Sequence, residues 1–316
     1  MQKLLFIALL NGILSIHSVE KLAYEPWYTG SILSYDGEII PKHTVSVQPF
    51  LFINTTYGNY KNNFSLEDIP NEVSVNPYVF FYYGINDLID MQLSFQTITN
   101  YTQSQSSTNL GDISVLFGIQ LIRETKNLPY VRLLIEETFP TGKYNKADPE
   151  RNLTDIVGTG SFITSIGIAT EKSYDWFYWH PFRIRWNFFV NIPSAANVEG
   201  VNFYGGASNA KGKAKSGTSF YILLCPEISI TQRWAFALDI VYLKQLNGSF
   251  SGNKGNNLDG SDAIIDVYQQ DSFQLAPAIE YSFNSKIGIL GGAWFSVFGR
   301  NSDAFVSAVV SAVFAF

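Results

Sequence analysis

The 316-residue chain carries 27 acids against 21 lysines and arginines, and this net charge of −6 argues against a nucleic-acid partner. Its one cysteine, Cys225, excludes an intrachain disulfide as a source of stability. Aromatic residues make up 16% of the chain, yet after the N-terminus no window is apolar for long enough to be a spanning helix; a barrel that hides its apolarity at alternate positions reconciles the two.

Residues 1–18, "MQKLLFIALLNGILSIHS", open with Lys3, continue apolar from Leu4 to Ile16 and reach a small residue at Ser18. This is the layout of a secretory signal peptide. Asn11, Gly12 and Ser15 interrupt a run already too short to span a bilayer. Residues 19–43 are expected at or inside the periplasmic mouth of the fold that follows, with Glu25–Tyr28 as an interfacial anchor or plug contact.

From residue 44 onward the period is two. In Asp90–Ile98, Met91, Leu93, Phe95 and Thr97 share one face and Asp90, Gln92, Ser94 and Gln96 the other. Similar runs occupy about 44–53, 72–82, 112–123, 129–138, 160–171, 176–190, 217–230, 234–242, 272–283, 286–298 and 303–316. The spacing predicts an all-β, transmembrane antiparallel β-barrel over residues 44–316 with about 12 strands, within a range of 10–14. The connections support it. Odd ones are mostly long and polar (54–71, 100–108, 139–159, 191–216, 245–271), whereas even ones are tight (84–87, 124–128, 172–175, 231–233, 284–286). Long outer loops and short periplasmic turns alternate in this way when both termini lie in the periplasm.

Aromatic residues gather at the predicted periplasmic ends: Phe81, Tyr82, Tyr83, Tyr130, Trp176, Tyr178, Trp234, Phe283, Phe314 and Phe316. Such rings favour a membrane interface. The final strand, "DAFVSAVVSAVFAF", sets Val306, Ala308, Val310, Ala312, Phe314 and Phe316 on a lipid-facing column, with Ser307 and Ser311 facing inward. It must pair with the first strand to remove both edges. Its closing phenylalanine resembles the C-terminal signal read by the barrel-assembly machinery.

Charged groups on a strand face are costly in lipid and are expected in the lumen. Arg183, Arg185 and Asn187 share one face, with Glu136 and Asp239 at similar height two strands away on either side. Asp90, Arg132, Glu227 and Glu280 fall nearer the periplasmic end, and Asp112 also points inward. These residues form either a charged constriction or a salt-bridge network filling a narrow barrel. Phe50, Phe52, Tyr78, Phe80, Tyr82 and Tyr221 give the lumen an apolar component suited to an apolar or aromatic solute.

Three motifs occur in order: "NLGD" (Asn109–Asp112, with Gly111 and Asp112), "PTGKY" (Pro140, Thr141, Gly142, Lys143, Tyr144) and "GTGS" (Gly158–Ser161, with Gly158 and Gly160). With "PWYTGSILSYDGEIIPKH" (Pro26–His43), this set resembles the outer-membrane proteins of the phenol meta-cleavage (MetA) pathway family. The resemblance implies a closed barrel in the outer membrane of a Gram-negative bacterium, admitting small hydrophobic molecules. The residues also have a structural reading, since Pro140 and Gly142 turn the chain and Gly158 and Gly160 permit tight geometry.

Catalysis is not expected. The mature chain holds only His43 and His180, and no nucleophile–base spacing stands out. No metal or cofactor is expected either, because Asp259 and Asp262 in "GNKGNNLDGSD" lack the spacing of a calcium loop. The expected partners are outer-membrane lipid, lipopolysaccharide (through "KGKAK", Lys211–Lys215), the assembly machinery and a small apolar solute. Sequons at Asn54, Asn63, Asn100, Asn152 and Asn247 mark polar outer loops. The leading expectation is a passive channel. Its main rival is a non-transporting structural or surface-interaction barrel, with a barrel hydrolase third.

Overall fold

Successive side chains leave a pleated backbone on opposite faces, so a run of period two makes a strand with one apolar and one polar side. The computed structural model describes residues 24–316 other than Gln103, Tyr178, Trp179 and Leu258. In chain order its strands begin β1 (Val45–Tyr60), β2 (Leu66–Gly84), β3 (Ile89–Tyr101), β4 (Ser106–Leu110), β5 (Ile113–Ile122) and β6 (Tyr130–Phe139). They continue β7 (Ile163–Phe177), β8 (His180–Pro193), β9 (Ala196–Glu199), β10 (Lys211–Lys215) and β11 (Ser219–Ser229). The last are β12 (Trp234–Gln245), β13 (Ser249–Asn253), β14 (Gln270–Ser282), β15 (Ile287–Arg300) and β16 (Ser302–Ala315).

Strand β1 pairs antiparallel with both β2 and β16, and β2 pairs with β3, so the sheet closes on itself. β4 and β5 both pair with β3 and are two pieces of one wall strand, split at Gly111–Asp112. The wall is a twelve-stranded antiparallel barrel. Closure satisfies every strand edge, the condition for crossing a bilayer. Phe117, Leu121, Ile166, Trp186, Ile279 and Val310 are exposed on the outside, while Gln92, Ser94, Gln120, Asn187 and Ser307 are buried within. The terminal strand follows the expected parity, with Val306, Val310 and Phe314 outward and Ser307, Val309 and Ser311 buried.

The aromatic ring at the periplasmic end contains Phe81, Tyr83, Trp234, Phe283, Phe314 and Phe316, all exposed. Tyr82 turns inward instead, where its hydroxyl donates to Gln48 Oε1 at 3.3 Å. Tyr178, the side chain of Trp176 and the leader expected over residues 1–18 lie outside the described residues.

Two long loops expected from sequence are hairpins. β1 and β2 stay paired out to Tyr60 and Leu66 rather than opening at 54–71, and β3 turns into β4 between Tyr101 and Ser106. Above the lipid both faces of a strand meet water, so pairing continues where alternation has stopped. Asn54 and Asn100 consequently lie within β1 and β3 and not in loops. The turn expected at 172–175 is displaced, because β7 remains paired with β8 as far as Phe177 and His180.

The remaining outer connections, 140–162, 194–218 and 246–269, pack into a lobe. There β10 pairs with β9 on one side and β13 on the other. Ala196, Val198, Tyr204, Ala214 and Ile265 form its core, with Tyr144, Phe250 and Val267 packed against them.

Candidate functional site

The inward face of the wall is organised by residues 24–43, which run around the inside of the barrel. Their backbone amides cannot reach water there and must find acceptors. The wall supplies one on strand after strand. Glu280 on β14 accepts from Thr29 N and Gly30 N at 2.6 and 3.0 Å, and Asp239 on β12 accepts from Ile32 N and Leu33 N at 3.1 and 2.9 Å. Asn187 on β8 bonds both ways with Tyr35, accepting from its N–H at 2.8 Å and donating to its carbonyl at 3.0 Å. Glu171 on β7, Gln120 on β5 and Asp90 on β3 then accept from Gly37 N, Ile39 N and Ile40 N. At the end, His43 N donates to the backbone carbonyl of Gly84 on β2 at 2.7 Å.

The lengths agree. An extended chain advances about 3.3 Å per residue, so Thr29 to Ile40 covers roughly 36 Å. The seven strand steps from β14 to β3 span roughly 34 Å at about 4.8 Å each. This segment is a belt lining one side of the lumen. Its side chains Ile32, Leu33 and Tyr35 pack into three apolar clusters with Phe50 and Leu290, Leu223 and Cys225, and Leu116 and Phe189.

Arginines complete the belt. Arg183 on β8 reaches Glu227 at 2.7 Å and Glu171 at 3.2 Å, with its guanidinium 4.1 Å from the centroid of the Tyr28 ring. Arg185, only 1% exposed, reaches Glu227 at 3.1 Å and Asp36 of the belt at 3.0 Å. Arg132 on β6 pairs with Asp90 at 2.6 Å and donates to the Asp36 carbonyl at 3.3 Å. The Arg132–Asp90 pair crosses β5 over Gly118, where an added Cβ would lie 2.1 Å from Arg132 Nε. Only glycine leaves room for that ion pair.

The sequence-predicted residues therefore divide. Arg183, Arg185 and Glu227 meet, but Asp239 and Glu136 do not join them, contrary to the expected height match: Asp239 binds belt amides, and Glu136 has no cationic partner among the described residues. Glu280 and Asn187 likewise hold the belt. Asp112 leaves the constriction altogether. It sits at the outer rim, where its carboxylate accepts from Gly142 N at 2.9 Å and from Thr159 N and Oγ1 at 3.1 and 3.2 Å. Thr141 Oγ1 donates to the Gly111 carbonyl at 2.8 Å, Gly142 and Gly158 are too close for a Cβ on either, and the Tyr144 ring lies against Gly160. Lys143 pairs with Asp155. The three motifs are thus one clasp tying β5, β6 and the lobe. Glu171, Gln120 and Asp36 were not singled out by sequence; inward parity with Ala169 marks Glu171, whereas nothing local marks Asp36.

Against the belt, whose residues from Thr29 to Asp36 form part of its lining, the lumen holds a cavity of about 550 Å³ lined also by Phe50, Phe52, Tyr78, Phe80, Tyr82, Tyr221 and Trp294, and by Glu136, Thr138, Ser165 and Asn191. The rings form a continuous wall: Tyr78–Phe80 centroids lie 4.4 Å apart, Phe50–Phe80 5.6 Å, Phe50–Phe52 5.5 Å and Phe52–Trp294 6.1 Å.

Residues 62–305 match the model of the family described as "Putative MetA-pathway of phenol degradation". The chain belongs to this family. Among solved structures, the COG4313 outer membrane channel from Pseudomonas putida F1 is similar at 14% identity and a TM-score of 0.69, covering 90% of this chain and 100% of that one. The CymD monoaromatic hydrocarbon channel is 11% identical with a TM-score of 0.39, covering 87% and 89%. The translocator domain of the autotransporter NalP from Neisseria meningitidis is 10% identical with a TM-score of 0.43, covering 100% and 95%. No curated protein matches the chain. This member of the phenol-degradation family has the fold of an outer-membrane barrel, and the family match spans both the clasp and most of the aromatic wall.

Proposed function

We propose that the barrel is a passive outer-membrane channel for small hydrophobic or aromatic compounds. The observation that carries this reading is the asymmetry of the lumen. Among the described residues, the belt amides that reach side-chain acceptors do so on the arc from β14 through β3, whereas β1, β2 and β15 supply the aromatic wall of the cavity, which meets Ile32 and Leu33 of the belt at Phe50 and Phe52. A solute that favours rings over water follows that surface, and its passage needs no catalytic step. The outward apolar columns meet lipid, Lys211, Lys213 and Lys215 on the exposed face of β10 meet lipopolysaccharide phosphates, and β16 presents Phe316 to the assembly machinery.

Uptake of radiolabelled toluene into a Gram-negative host with intact lipopolysaccharide tests the proposal. Expression should raise the initial rate several-fold, and Phe50→Glu with Phe80→Glu should remove the gain. No rise from a correctly inserted barrel would overturn it. The non-transporting reading draws on the same belt, which fills much of the lumen, and silence in both uptake and ion conductance would favour it.

A further inference from the structure

Burying an ionised carboxylate is costly unless donors or cations compensate it. Within the lumen, Asp90, Glu171 and Glu227 have arginines, and Asp239 and Glu280 have belt amides. Glu136 is the exception. It is half-buried and lines the cavity, and the one donor that reaches it among the described residues is Ser114 Oγ, at 2.5 Å from Oε1. An ionised carboxylate has room for about four hydrogen bonds, so most of its accepting capacity faces the cavity unused.

The donor to Glu136 is itself linked to the aromatic wall. Tyr78 OH lies 3.1 Å from Ser94 Oγ, and Ser94 Oγ lies 2.6 Å from Ser114 Oγ. This relay fixes the carboxylate at a set distance from the Tyr78 ring, which packs tilted against Phe80. An aromatic surface and an oriented acceptor therefore face one space. We propose that Glu136 selects the solute: the cavity takes aromatic compounds that carry a hydroxyl, with the ring against Tyr78, Phe80 and Phe50 and the O–H donating to the Glu136 carboxylate. An organic cation fits less well, because the guanidiniums of Arg132 and Arg185 line the same cavity. A phenol keeps its proton at neutral pH, as tyrosine does with a pKa of about 10, and so remains a donor. The assignment rests on the reading of the lumen as an aromatic-solute channel.

The test is fluorine NMR titration of the refolded barrel in lipid nanodiscs with 4-fluorophenol, 4-fluoroanisole and 4-fluorobenzylammonium. The wild type should bind the phenol about tenfold more tightly than the anisole, whose oxygen has no proton to donate. Glu136→Leu should bring the phenol down to the anisole without moving the anisole itself, and Glu136→Gln, which keeps a carbonyl acceptor, should fall between. Folding of each variant is verified by its heat-modifiable migration in SDS gels. Equal binding of phenol and anisole by the wild type would overturn the hydroxyl assignment, as would a preference surviving in Glu136→Leu. Tighter binding of the ammonium than of the phenol would overturn it too, by making the carboxylate a cation site. If the wild type binds neither the phenol nor the anisole, the channel reading itself fails.

Discussion

Single residues in this barrel matter through what they leave behind when removed. Arg185 stands between Glu227 and Asp36 with almost no exposure. Arg185→Ala leaves half-exposed Asp36 without its arginine and Glu227 with Arg183 alone, a loss of about 1–3 kcal/mol for removing charged contacts within a buried cluster. The variant is expected to lose its heat-modifiable band at a markedly lower temperature than the wild type, and unchanged thermal behaviour would show the cluster to be dispensable. At the rim, Asp112→Ala leaves two backbone amides and a hydroxyl without their acceptor, at about 2 kcal/mol of local stability. Its measurable result is faster proteolysis within 140–162. The neighbouring Asp155 sets a pH limit on that loop. Burial raises its carboxyl, but hydrogen bonds from Lys143 and from the Asp148 amide outweigh burial and hold it below the usual range. Because the native value is the lower one, its contribution is complete above the unfolded value of about 3.9 and fades as the pH falls through the native one. Loop protection should therefore persist at pH 5 and collapse in stronger acid, while Asp155→Asn should show weaker protection with little pH dependence.

The belt is the element on which the lumen depends, and the native cysteine reports on it. Cys225 is fully buried in a cluster with Leu223, Ala237 and Val241, covered by Leu33 of the belt. In the intact barrel it should resist a small thiol reagent. Asp239→Leu removes the acceptor for both Ile32 N and Leu33 N, and deletion of residues 24–43 removes the cover outright. Labelling of Cys225 should rise in the first variant and reach completion in the second. An equally inert thiol in the deletion would mean that the wall alone shields it. The clasp behaves differently from the belt: none of its motif residues lines the cavity, so substitutions there are expected to affect loop order and leave solute binding alone.

For the whole molecule, closure and filling have separate consequences. A closed wall without free edges should survive SDS at room temperature and migrate apart from the boiled chain. A lumen occupied along one side by a hydrogen-bonded belt should pass few ions, whatever it does for apolar solutes. Deleting residues 24–43 should raise single-channel conductance in a planar bilayer by severalfold. A large conductance already present in the full chain would place an open aqueous path beside the belt.

Much of this architecture is legible in the chain itself, because parity is a local property. A strand with one face in lipid and one in the lumen must alternate, so period two located the twelve strands, the outward column ending at Phe316 and the inward set from Asp90 to Glu280. Alternation fails as a guide where both faces are wet, and for that reason the paired strand ends around Tyr60 and Leu66 read as loop. Parity also says which way a side chain points, but not what it meets. Whether Asp239 faces Arg185 or the amides of Ile32 and Leu33 depends on where a separate segment, more than two hundred residues earlier in the chain, lies across the wall. The same applies to the clasp, where Asp112, Gly142 and Thr159 meet only once three strands have closed, and to Glu136, whose significance lies in partners that went elsewhere. The sequence determined a barrel with a polar and aromatic interior. Only the tertiary structure decided that the charges hold a belt across the wall and that belt and rings together enclose one cavity.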